Sequence, residues 1–186
     1  AIGCTLESYD HAQYEKELGV PEVLARLQDN IFEGLSEEDA MQWPERFLSA
    51  INVGADLSLV WPKFILKVLR DPEKGTMCLC SEKGKEATEK VCALYERVAS
   101  GEGVMSEDWS DARDAAYAAY AAYGGAAADY AAVAYGAADA TGADYAAAAA
   151  YDYAYGDGTI VYGAAVRENH YMLMSEWLVQ ELERAS

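Results

Sequence analysis

Basic residues are what this chain most lacks: 14 Lys and Arg stand against 32 Asp and Glu in 186 residues, a formal charge of -18 at pH 7. A surface of that sign repels nucleic-acid phosphates and anionic lipid head groups, which excludes direct nucleic-acid binding and attachment to a membrane surface. Histidine is scarcer still. His11 and His170 give no spacing for a His-based zinc site, and neither stands in a recognisable Ser or Cys nucleophile motif. His170, on an apolar stripe, reads as a hydrogen-bonded core or boundary residue. The four cysteines, Cys4, Cys78, Cys80 and Cys92, have neither the density of a disulfide scaffold nor C-x-x-C pairing, and Cys78-Leu79-Cys80 is too tight for an easy bridge. They read as free thiols in a reducing, cytoplasmic compartment. No apolar run is long enough to span a membrane, and Ala1-Ile2-Gly3-Cys4 is too short and too soon polar for a signal peptide.

Cofactor motifs are also missing. Asp152 to Thr159 holds two acids among glycines but lacks the alternating acids and distal Glu of a calcium loop. Gly101-Glu102-Gly103 has no third glycine and no preceding strand, so it is not a dinucleotide site. Neither a cofactor nor a metal is expected, and no enzymatic activity. A flat Ala and Thr array for ice binding is ruled out because Tyr and Asp interrupt the alanines and only Thr141 and Thr159 lie among them.

What is present is apolar and aromatic: 52% of residues are hydrophobic, with 14 Tyr and 4 Trp, which separates this acidic chain from a disordered one. Pro21 suits a helix's first turn, and Val23, Leu24, Leu27 and Ile31 form one stripe that Gly34 ends. Ser36-Glu37-Glu38-Asp39 is an N-cap signal for a helix that should kink or restart at Trp43-Pro44. Trp43-Pro44 and Trp61-Pro62 open similar nonapeptides, so two related helices are expected, each opened by Pro and anchored by Trp, with a turn at Asn52 to Asp56 between them. Asp71 to Gly75 reads as a loop and Thr76 to Cys80 as a short extended piece. Ala87, Val91, Leu94 and Val98, flanked by Tyr95, make a further helix stopped by Ser100-Gly101.

Beyond Gly103 the composition turns to Ala, Tyr, Gly and Asp. Trp109, Ala112, Ala116, Ala119, Tyr120 and Tyr123 fall on one side of a helix, and Glu107, Asp111, Asp114 and Ala118 on the other. Gly124-Gly125 should end it. Tyr130, Val133 and Ala137 suggest a second helix of the tract, Asp144 to Tyr155 a third, and Ala164 to Ala185 a last helix closing the core through Leu173, Met174, Trp177, Leu178 and Leu182. Between Val98 and Val166 Arg113 is the only basic residue, so the acids of this half are almost uncompensated. They are either a solvated face that keeps an apolar layer dispersed or a surface for a basic partner, formed by Glu107, Asp111, Asp114, Asp129, Asp139 and Asp144.

Three segments and the tract together look familiar: Met41-Gln42-Trp43-Pro44-Glu45-Arg46-Phe47-Leu48, Val53-Gly54-Ala55-Asp56-Leu57-Ser58, and Glu168-Asn169-His170-Tyr171 before the final helix. They resemble alanine-rich helical proteins of phages and bacteria, some of them labelled immunity proteins. The resemblance covers most of the chain and rests mainly on composition. It implies a small helical binding protein that blocks a toxin or a defence factor, and it carries over no catalytic residue.

The expected fold is an all-α helical bundle, one domain over 1-186 in which a mixed half (1-100) and an Ala/Tyr/Asp-rich half (101-186) share a core. The expected function is non-enzymatic: binding, and through it inhibition, of a protein with a basic surface such as a nuclease or DNA-binding protein, with the acids standing in for nucleic-acid phosphates. The alternative is a structural or assembly protein, a homo-oligomer whose subunits meet through the Ala/Tyr layer.

Overall fold

Helix signals dominate the chain, and helices are what forms. The computed structural model describes residues 10–122 and 164–185, and among them are seven α-helices, one 3-10 turn and no strand. The short α1 (Ala12–Leu18) ends at Gly19, whose left-handed φ of 69° turns the chain into α2 (Glu22–Gly34). Pro21 sits one position outside α2, in extended conformation, and its carbonyl accepts the amides of Leu24 and Ala25. The stripe of α2 is buried as expected at Leu24, Leu27 and Ile31. Gly34 does close α2, but for a reason of packing. A Cβ there would lie 2.1 Å from the Tyr171 ring, so only glycine admits the last helix at this point.

Helix α3 (Glu37–Ser49) starts at Ser36, whose Oγ accepts the Asp39 amide at 3.1 Å. It neither breaks nor restarts at Pro44, which lies in its interior. The capped, acid-rich first turn initiates the helix well before the proline. Trp43 and Phe47 are buried on either side of it, and the Trp43 indole donates to the Gln28 carbonyl at 2.9 Å. That anchorage offsets the amide missing at Pro44. Pro62, in contrast, lies in the first turn of α4 (Val60–Arg70), where an amide has no helical partner anyway. The two Trp-Pro segments are therefore not equivalent, and the expected pair of related helices is corrected.

Between α3 and α4, Gly54 adopts a φ of 83° and the Ala55 amide reaches the Asn52 carbonyl at 3.0 Å, the expected turn. After α4 the Asp71 carboxylate accepts the amides of Glu73 and Lys74, which folds the loop back. Thr76–Leu79 is a 3-10 turn and not an extended piece, because amide bonds spanning three residues, from Cys78 to the Gly75 carbonyl and from Cys80 to the Met77 carbonyl, coil the backbone after that loop.

Helix α5 (Glu82–Ala99) is capped by Ser81, which accepts the Gly84 amide at 3.1 Å, and Gly101 at φ 81° follows its end. Ala87, Val91, Leu94 and Tyr95 are all buried. Helix α5 packs between α4 and α6 (Ser106–Ala122), while α7 (Ala164–Arg184) packs against α2, α3 and α4. An aromatic chain ties α4, α5 and α6 together. The Trp61 indole donates to the Tyr95 hydroxyl at 3.2 Å, and the Tyr95 and Trp109 rings meet edge to face at 4.9 Å, a contact type worth about 1 kcal/mol beyond its buried area. Residues of both halves, including Ala112, Ala116, Ala119, Met174 and Leu178, join one apolar core. The second and third helices expected between residues 124 and 155 lie outside the described residues.

Candidate functional site

Helix α6 divides as its sequence dictates. Ala112, Ala116 and Ala119 are buried, and the α5 and α6 axes can approach closely because alanine keeps that face thin. Glu107, Asp111, Asp114 and Ala118 are exposed on the opposite side. Its N-terminal turn is held by Asp108, whose carboxylate binds Arg97 of α5 at 3.2 Å and the Met105 amide at 3.3 Å. Arg97 also donates to the Gly103 carbonyl at 3.1 Å and lies 3.5 Å from Glu102. This arginine fastens the α5–α6 connection and neutralises the two acids nearest to it.

The three exposed acids differ from those two. Neither Glu107 nor Asp111 has an ion pair among the described residues, and Asp114 only grazes Arg113 at 4.0 Å. Asp129, Asp139 and Asp144, expected on the same surface, lie outside the described residues, so the structure brings together half of the expected set. At a rise of about 1.5 Å per residue, the three carboxylates are strung over about 10 Å of helix, a mean interval of about 5 Å. A nucleic-acid strand carries a charge every 3.4 Å or so, and this face is sparser. Tyr117, one turn past Asp114, is 57% exposed and adds an aromatic surface to the acidic row. The helical-wheel reading overlooked it, although its offset of three from Asp114 places it there.

Burial governs three groups of the α4–α5 region, Cys80, Cys92 and Tyr95. Desolvation pushes the Cys92 thiol up to about 12, and it also raises Cys80 and Tyr95. Cys78, Cys80 and Cys92 are free, and the two buried ones are held as neutral thiols, a poor state for a nucleophile. Over Cys92, Arg70 of α4 binds both Glu89 and Glu96 of α5, a clamp between helices. Among the described residues no three His, Cys, Asp or Glu side chains converge as a metal site would require. Nor is any helix among them long and apolar enough to cross a membrane.

A second surface feature carries no charge signature. Leu18, Leu48, Ile51, Val53 and Ala55 line an open, mostly apolar hollow of about 260 Å³ between the α1–α2 turn and the loop after α3. Gly19 and Gly54, each left-handed, shape its two walls. Those two turn glycines were the available sequence signal, but nothing in the sequence shows that the turns face each other. No protein-family model, curated protein or solved structure matches the chain.

Proposed function

We propose that this chain is a non-enzymatic binding protein that engages, and by covering it inhibits, a protein with a basic surface, using the outer face of α6. The observation that supports this reading is the contrast within one helix: Asp108 is consumed by Arg97, while Glu107, Asp111 and Asp114 are left exposed with a single distant base among the described residues. Exposed carboxylates on a helix anchored by its other face are pre-organised for Lys and Arg, and they accelerate encounter with a positive surface. The three acids alone are too sparse to copy a nucleic-acid strand. A nuclease or DNA-binding partner therefore requires Asp129, Asp139 and Asp144 to extend the row.

The test is capture from native-host extract on immobilised wild-type protein and on the Asp111→Asn/Asp114→Asn double variant, followed by stopped-flow association with the captured partner. The expected result is a basic partner whose association slows at least about threefold in the variant and slows further as salt rises. A partner that binds both proteins at the same rate, indifferent to salt, would remove the acidic face from the reading. Subunit assembly through the Ala/Tyr layer is the second reading, favoured by the exposure of Tyr117, Ala118 and Ala121 along α6.

A further inference from the structure

We propose that the polar hollow between the start of α4 and the end of α7 binds a free α-amino acid with a small apolar side chain, its ammonium group on Glu181 and its carboxylate on Lys63. The hollow measures about 230 Å³. Asp56, Val60 and Lys63 line it from the start of α4 and the loop before it, and Glu181, Arg184 and Ala185 from the end of α7. Sites for drug-sized ligands run to roughly 300–1,000 Å³, so the occupant here is restricted to a small molecule.

Glu181 is only 6% exposed, yet it lines the hollow. One of its oxygens accepts the Arg184 guanidinium at 2.7 Å, and the other has no partner among the described residues. A carboxylate so nearly buried has lost most of its hydration, and an oxygen left unmet there calls for a donor. A cationic donor suits it best, because the backbone carbonyls that end α7 add to the negative field. The opposite polarity stands beside it. Lys63 is exposed and has no ion pair among the described residues. Helix α4 starts after Leu59 without a side-chain cap, so the positive end of an eleven-residue helix borders the same hollow. Two bases, Lys63 and Arg184, thus balance two acids, Asp56 and Glu181, in a molecule whose net charge is -18. A simple cation would meet the bases and a simple anion the acids. A molecule that carries both charges a short distance apart satisfies both poles, as an α-amino acid does, and Leu59, Val60 and Ala185 leave apolar surface for a short side chain.

This inference is independent of the acidic-face reading, because none of its residues lies on α6. The test is a titration of the isotope-labelled full chain with L-valine and, separately, L-alanine, followed amide by amide by two-dimensional NMR. The expected result is saturable shifts confined to the amides around Lys63 and Glu181, with a dissociation constant on the order of 1 mM, since so small a ligand makes few contacts. Isovalerate, which lacks the ammonium group of valine, and isobutylamine, which lacks its carboxylate, should each bind at least about tenfold more weakly. Lys63→Gln and Glu181→Gln should each weaken valine binding by a similar factor. Lys63 is exposed and without an ion pair among the described residues, so its loss is read without disturbing the core. Isovalerate that binds as tightly as valine would reduce the site to an anion contact at a helix end, and isobutylamine that does so would reduce it to the attraction of any cation by an acidic chain. Either result overturns the proposal. So does the absence of saturable shifts with both amino acids, or a valine affinity that Lys63→Gln leaves unchanged.

Discussion

At the scale of single residues, the fold depends on a few positions where no other side chain fits. Gly34 is one. Any Cβ there runs into the Tyr171 ring, and because Tyr171 is itself buried, the clash has to be relieved by moving α7. Gly34→Ala should therefore destabilise the protein by about 1–3 kcal/mol, although alanine is the better helix former. Urea denaturation would show it, and an unchanged or higher midpoint would mean that Tyr171 is not fixed against α2. Cys92 and Tyr95 supply a pH-dependent prediction. Burial raises Cys92 from 9.0 to about 12 and raises Tyr95 above its ordinary 10.0, so both keep their protons in the fold at a pH where the unfolded chain loses them. Their contribution to stability is complete below about pH 9 and declines as pH rises toward the folded values, by up to about 1.4 kcal/mol per pH unit and group. Cys92→Ala should flatten the fall in stability between pH 9 and 11. A slope identical to wild type would show that Cys92 is not desolvated.

At the scale of elements, the most instructive is α3, which runs through a proline. Pro44 leaves the Ala40 carbonyl without its helical donor, a defect that costs a helix interior up to about 3 kcal/mol. Pro44→Ala should raise the thermal midpoint, by an amount reduced by whatever packing the half-buried ring provides. A lowered midpoint would show that the ring's contacts outweigh the missing bond. What could be read in advance divides along the same physical line. The inner face of α6 is legible because Ala112, Ala116 and Ala119 recur at helical spacing, and the cap at Ser36 because a hydroxyl before an acidic turn acts locally. Of the two outcomes open at Pro44, a kink or a restart, the restart does not occur, because local propensity is opposed by Trp43 and Phe47, whose burial is a tertiary fact. The coil at Thr76–Leu79 misleads for the same kind of reason, since the returning Asp71 loop sets it. In the candidate site, Glu107, Asp111 and Asp114 follow from the helical wheel. The neutralisation of Asp108 by Arg97 does not, because that pair joins two helices across a connection whose path the sequence leaves open.

At the scale of the whole molecule, the question is whether two halves of such different composition unfold as one. The core argues that they do: α7 buries Tyr171, Met174, Trp177, Leu178 and Leu182 against helices of the first half, and α6 is joined to α5 through Tyr95 and Trp109. The tryptophans are distributed so as to test it, with Trp43 and Trp61 in the first half and Trp109 and Trp177 in the second. Leu178→Ala removes fully buried methyls from α7 and should cost about 2–5 kcal/mol, a large share of the roughly 5–15 kcal/mol that holds a domain of this size together. If the halves share one cooperative core, the substitution shifts the urea transitions seen by helical circular dichroism and by tryptophan fluorescence by the same amount, and the two stay superimposed. Raising salt from about 0.01 M to about 1 M, which shortens the screening length from about 30 Å to about 3 Å, should move both transitions upward together, because the self-repulsion of a -18 chain acts on the molecule as a unit. Transitions that separate in Leu178→Ala, with part of the helical signal lost at the wild-type midpoint, would instead show that α7 and the helices it covers unfold apart from α6, and the single-core description would fail.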